Sequence, residues 1–214
     1  MPKPIILAAM LLSIAPMASL AAEDCPSRPF HLKIDIDAPR EVLDHSRDTR
    51  ALSAMLSDRS LPGYVTQGLT KVDYTASYST EYLSQKREDG SWCSTVDSVT
   101  VKFGFLAPPT IYLARSLPEG SCMYNEVRKH EYQHLRIAQD TLEAGRKWIG
   151  TALKQQLTQG GAIGPTADSA NAVIDAGIKE IVNKITGGLY ATARFKNLAL
   201  DTPENYARLG KVCG

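Results

Sequence analysis

Residues 128–138 read RKHEYQHLRIA, and inside them His130, Glu131 and His134 spell His-Glu-x-x-His. On an α-helix, side chains four apart leave the same face, one turn above the other. Two imidazoles here can therefore face one point without any bend in the backbone. Leu135, Ala138, Leu142, Gly145, Ile149 and Leu153 continue at helical spacing, so the stretch belongs to one helix over about 124–158. Such a five-residue match arises by chance in roughly one chain per few hundred.

The spacing suits a metal ion. His130 and His134 supply two ligands, while Glu131, beside them, can hold and deprotonate the ion's water. Zinc lowers the pKa of that water from about 15.7 to about 7. A catalytic zinc ion takes three protein ligands and a water, so a third ligand is expected. Asp140 is a poor one, because an unbroken helix points it away from His134, and Glu143 is too far along the axis.

The chain after the helix narrows the search. QGGAIGPT (159–166) breaks the pattern, Thr166 caps a second helix, and Ile174, Ile178, Ile181, Ile185 and Leu189 keep step along it. If this helix returns antiparallel to the first, equal rise from the turn sets residue 190 level with His134 and about residue 194 level with His130. The segment that follows, LDTPENY (200–206), offers Asp201 and then Glu204 as third ligand, with Tyr206 as a donor to an oxyanion. Acids at a helix start also serve as caps and dipole partners, so the two stay alternatives. Asp175 and Glu180 fall short of the site. Thr202, Pro203 and Gly210 mark a last short helix, and Gly187 and Gly188 are places where the second could kink.

Upstream, the period changes from helical to alternating. PFHLKIDID (29–37) puts Phe30, Leu32, Ile34 and Ile36 on one face. Val72, Tyr74, Ala76, Tyr78 and Tyr82 form a second strand, EDGS (88–91) a turn, and Val99, Val101, Phe103 and Phe105 the return strand. TIYLARS (110–116) follows Pro108 and Pro109, which suggests an edge strand able to pair with an extended peptide. SRDTRALSAMLSD (46–58) reads as a short helix. His31 and His45 read as surface residues. The fold expected is α+β: a small antiparallel β-sheet, then a long active-site helix and an antiparallel second helix.

MPKPIILAAMLLSIAPMASLAAEDC (1–25) has the charge, apolar run and small residues of a cleaved secretory signal, so residues 1–21 are set aside and 22–214 read as one domain. No later run is long enough to span a bilayer. A net charge of +1 with scattered bases gives no nucleic-acid footprint. Cys25, Cys93, Cys122 and Cys213 suggest two disulfides in an oxidising compartment, periplasmic or secreted. The pairing favoured is Cys93 with Cys122 and Cys25 with Cys213.

The alternating strands from about residue 70, GFLAPPTIYL (104–113), KHEYQHLRIAQDTL (129–142) and the long helix after them resemble a family of bacterial secreted zinc-dependent proteases of the zincin type. The resemblance implies Zn2+ at His130 and His134, with Glu131 as base, acting on a peptide, a protein or a cell-wall peptide. That family's pattern has a further histidine near the end of its last long helix. Tyr206 stands in the comparable place here. The competing expectation is a non-catalytic envelope protein with a structural or vestigial metal site.

Overall fold

The computed structural model describes residues 25–56 and 65–214. The signal-like segment and the end of the SRDTRALSAMLSD stretch lie outside them. In chain order the elements are β1 (His31–Asp37), β2 (Val42–Asp44), α1 (Thr49–Leu56), β3 (Gly68–Lys71), β4 (Tyr74–Lys86), β5 (Trp92–Phe105), β6 (Thr110–Leu113), α2 (Cys122–Leu157), β7 (Ala162–Gly164), α3 (Ala167–Leu200) and α4 (Pro203–Val212). The plan is α+β, with the long helices after the strands.

The strands make two sheets rather than one, and each is mixed. In the first, β4 and β5 form a long antiparallel hairpin, while β1 lies parallel to the other edge of β5, which it shares with the short antiparallel β7. Asp89 and Gly90 turn the hairpin: Gly90 has φ 86°, a left-handed conformation glycine adopts at little cost, and its N–H bonds to Arg87 O. Tyr74, Tyr78 and Tyr82 pair with Phe105, Val101 and Val96. The register skips Asp97, and this bulge brings Val96 onto the face that Val99, Val101 and Phe103 occupy at odd positions.

In the second sheet β6 is central, between parallel β2 and antiparallel β3. This corrects the expectation of an edge strand. Pro108 and Pro109 precede the strand and remove no N–H from its ladder; the oxygen of Pro109 even accepts from Val42 N. No peptide can add to β6, and the edge beside α2 is β3.

At 36 residues, α2 runs about 54 Å and spans both sheets. Its first half packs Tyr124, Val127 and Leu135 on Leu52, Ile111 and Leu113. Its second half packs Leu142, Ile149 and Leu153 on Val99, Val101 and Phe103. His130 and His134 fall where the two cores meet. Ser121 caps α2, and the Thr166 expectation for α3 is met by a capping box with Ser169. α3 continues through Gly187 and Gly188, and α4 through Gly210 to Val212.

The disulfides are Cys25–Cys93 and Cys122–Cys213, which corrects the expected pairing. Parallel pairing explains the first: His31 is level with Ser98, so six residues earlier the chain is level with the start of β5. The second joins the first turn of α2 to the C-cap of α4. Both close long loops, an arrangement suited to an oxidising compartment. No helix among the described residues is long and apolar enough to cross a membrane.

At Gly145 helix and sheet approach closely, since a Cβ there would strike the ring of Phe103, which is fully buried. Gly145→Ala should therefore reverse the usual helix gain of about 1 kcal/mol and cost roughly 1–3 kcal/mol in urea unfolding. Greater stability in the variant would contradict this packing.

Candidate metal centre

α2 carries His130 and His134, both largely buried, on the face turned toward α3. α3 returns antiparallel and brings Asn197 to His134. The expected level of residue 190 is off by about two turns, because the connection runs past the end of α2 into β7 before α3 starts. The next turn ends α3 at Asp201, its C-cap, with φ −89° and ψ 64°. Thr202 then caps α4. Asp201 thus sits at the break between two helices, which frees its side chain to reach across to α2.

Three atoms converge. His130 Nε2 and His134 Nε2 are 3.2 Å apart, and each is 3.1 Å from Asp201 Oδ1. Three corners of a tetrahedron around an ion with ligands at 2.0–2.1 Å are about 3.3–3.4 Å apart, so the three atoms need only spread slightly to take an ion. The three residues can hold a metal ion, and they are the group of His, Cys, Asp or Glu side chains among the described residues with that geometry. Glu204, the alternative third ligand, is exposed in the first turn of α4 and stays outside the group. Its place on the outer face is that of a dipole partner. Asp140 and Glu143 are exposed on α2, as expected of poor ligands. Asp175 accepts from Tyr78 and Tyr82 instead. His31 is exposed, but His45 is a half-buried strut, with Nε2 donating to Ala114 O at 2.9 Å.

Hydrogen bonds around the triangle orient it. His134 Nδ1 donates to Asn197 Oδ1 at 2.9 Å, which turns Nε2 toward Asp201. A ligating histidine is commonly held this way. Tyr206 donates to Asp201 Oδ1 at 2.8 Å. Burial and the Asp201 charge push the Tyr206 hydroxyl far up, so it remains a donor. Burial also disfavours the charged form of Asp201, but the bonds from His130, His134 and Tyr206 outweigh it and hold the carboxyl well below its usual range. His130 Nδ1 is buried without a partner among the described residues. That orphan costs about 1–3 kcal/mol, small beside the roughly 10–16 kcal/mol that a structural zinc ion can supply.

Glu131 is buried against β3. The Thr70 hydroxyl lies 2.9 Å from both its main-chain oxygen and its Oε2. Gly68 has no side chain because a Cβ would meet Glu131 Oε1 and Val127. Burial pushes the Glu131 carboxyl up, while His134, His130 and Thr70 pull it back. A base whose pKa is raised above the usual carboxylate range holds a proton it has taken more readily and can return it. Thr70 and Gly68 were not singled out from the sequence, and Asn197 entered only as the bound of the stretch, from Tyr190 on, expected beside the metal. Asn197 falls one turn before Asp201, a signal that could have drawn notice; Gly68 and Thr70 acquire meaning once β3 is known to lie on α2.

The centre opens into a cleft of 590 Å³ between β3, α2, α3 and α4. Comparison with known proteins finds no matching family model, curated protein or solved structure.

Burial lowers the affinity of His134 for a proton, but the bond to Asp201 and the charges of Glu131 and Asp201 raise its pKa to about 9. A folded value above the unfolded 6.5 stabilises the chain fully below that pH, and the contribution is lost as pH rises through about 9. In chelator-treated protein the melting temperature should fall across this window, and Asp201→Asn should flatten the fall. An unchanged profile in Asp201→Asn would contradict the pairing. Separately, Gly68→Ala should displace Glu131 while metal binding, read by Co2+ absorption, survives with a loss smaller than the roughly 10–100-fold of a lost supporting bond, because no ligand or ligand partner sits on β3.

Proposed function

We propose that the protein is an exported zinc-dependent hydrolase acting on peptide bonds, in the manner of the secreted zinc proteases its sequence resembles. The observation that carries the reading is the triangle of His130 Nε2, His134 Nε2 and Asp201 Oδ1 at the wall of a cleft, with Glu131 one residue along the helix. Three donors support a catalytic site over a structural one, which would be closed by a fourth protein ligand. Two imidazoles and a carboxylate serve iron(II) as well as zinc, and the His-Glu-x-x-His spacing, with Glu131 as base, is what favours zinc here. The signal-like N-terminus and two disulfides support a periplasmic or secreted location.

A zinc ion in the triangle supplies a Lewis acid that polarises a carbonyl and acidifies water. Glu131 takes the proton as the water oxygen bonds to the carbonyl carbon. When the carbon–nitrogen bond breaks, Glu131 returns that proton to the leaving amine. Thr70 fixes the carboxylate during both transfers. Tyr206 stays protonated; its single O–H steadies Asp201 and would leave that carboxylate to donate to the oxyanion. An extended peptide adds along β3, the sheet edge that runs beside Glu131.

Metal analysis of protein purified without chelators should give about one zinc per chain. Glu131→Gln should keep the metal and lose at least about 100-fold in peptide hydrolysis, the scale of general-base catalysis. His134→Ala and Asp201→Ala should lose both. Chelation followed by added Zn2+ should restore turnover to the native chain. A metal-free preparation that cannot be loaded, or full activity in Glu131→Gln, would refute the proposal.

A further inference from the structure

We propose that Arg194 anchors a carboxylate of the substrate, so that the cleft selects peptides with an acidic group within about three residues of the scissile bond. The inference deepens the hydrolase reading and rests on it. α3 turns Tyr190, Ala193, Arg194, Asn197, Leu198 and Asp201 into the cleft, at the three- and four-residue spacing of one helical face. Asn197 and Asp201 are engaged with the histidines. Arg194 is the single lysine or arginine among the described residues that line the cleft.

Its guanidinium has no ion-pair or hydrogen-bond partner among the described residues. Arg146 bonds Glu143 and Arg47 pairs with Asp44, but Arg40, Arg50, Arg136 and Arg208 are likewise exposed without a partner among the described residues, so it is the place in the cleft that sets Arg194 apart. Apolar side chains of the same cleft include Leu69, Val72 and Leu198. A guanidinium beside apolar walls is matched by a carboxylate, which it can hold through two parallel N–H···O bonds. The fixed acids of the cleft cannot be its purpose, since Asp201 is bound to the histidines and Glu131 to Thr70.

Spacing sets where the acid falls. Arg194 precedes Asp201 by seven residues, a rise of about 10 Å, and an extended peptide advances about 3.3–3.6 Å per residue. The carboxylate therefore lies no more than about three residues from the reacting carbonyl. Both a free C-terminus and an aspartate or glutamate side chain offer that chemistry. The apolar walls take the intervening side chains.

Three fluorescent peptides of the same apolar sequence separate the sources: one with a free C-terminus, one amidated, and one amidated with glutamate at the penultimate position. Binding is read by anisotropy on zinc-loaded Glu131→Gln protein, and turnover on the native chain. The free acid should bind at least about tenfold tighter than the amide, the scale of one charge-assisted pair. Adding Arg194→Gln should bring the acid to the level of the amide, whereas Arg146→Gln, outside the cleft, should keep the difference. Rescue of binding by the penultimate glutamate assigns a side-chain carboxylate; no rescue assigns the C-terminal one. Equal binding of acid and amide, or a difference that survives Arg194→Gln, overturns the proposal. Discrimination in binding with no turnover of any peptide would leave Arg194 in place and sink the hydrolase reading.

Discussion

One aspartate oxygen joins the two halves of this molecule's chemistry. Asp201 Oδ1 meets both imidazoles of α2 and the Tyr206 hydroxyl of α4, so a single atom ties three helices at one point. It can do so because α3 ends there. Continued helix would have kept the carboxylate on the α3 surface; the break before Thr202 lets it swing across. The Cys122–Cys213 bridge then pins α4 to the start of α2, holding Tyr206 near the same oxygen. In such a cluster the proton and a metal ion compete for the same place, since His134 Nε2 needs its proton to meet Asp201 and must give it up to ligate.

Much of this was legible in the residues. The α2 periodicity is long and regular, Thr166 and Thr202 are side chains that cap, and Asp-Gly turns a hairpin almost wherever alternation flanks it. Those signals are local, so tertiary packing had little to overrule. Asp201 was reachable because helical rise converts residue counts into distance, even with an error of two turns. That error came from β7, whose three residues gain their strand identity from β5 and show no alternation of their own.

What failed depended on pairings between distant segments. Nothing in TIYL says that it is flanked on both sides, for the prolines that suggested an edge lie outside the ladder. The disulfides follow from the parallel register of β1 on β5, which no local pattern records. Thr70 and Gly68 are ordinary residues until β3 is laid on α2. There the hydroxyl becomes a brace and the missing side chain becomes room for a carboxyl group.

The position of Glu131 shows why those two residues matter beyond packing. A carboxylate at this depth is unfavourable when charged, and burial alone would leave it protonated and useless as a base. The histidines and Thr70 favour its charged form, and β3 keeps it from turning away. The opposing influences come from different elements: α2 buries the group, the imidazoles attract it, and the strand aims it. Across the cleft, α3 mirrors this division, spending Asn197 and Asp201 on the histidines and leaving Arg194 toward the open space. One wall fixes the acid that would move protons, and the other presents the base that would hold the substrate. A reacting bond set between them is fixed at two points, which is the condition for orienting a carbonyl toward its attacking water.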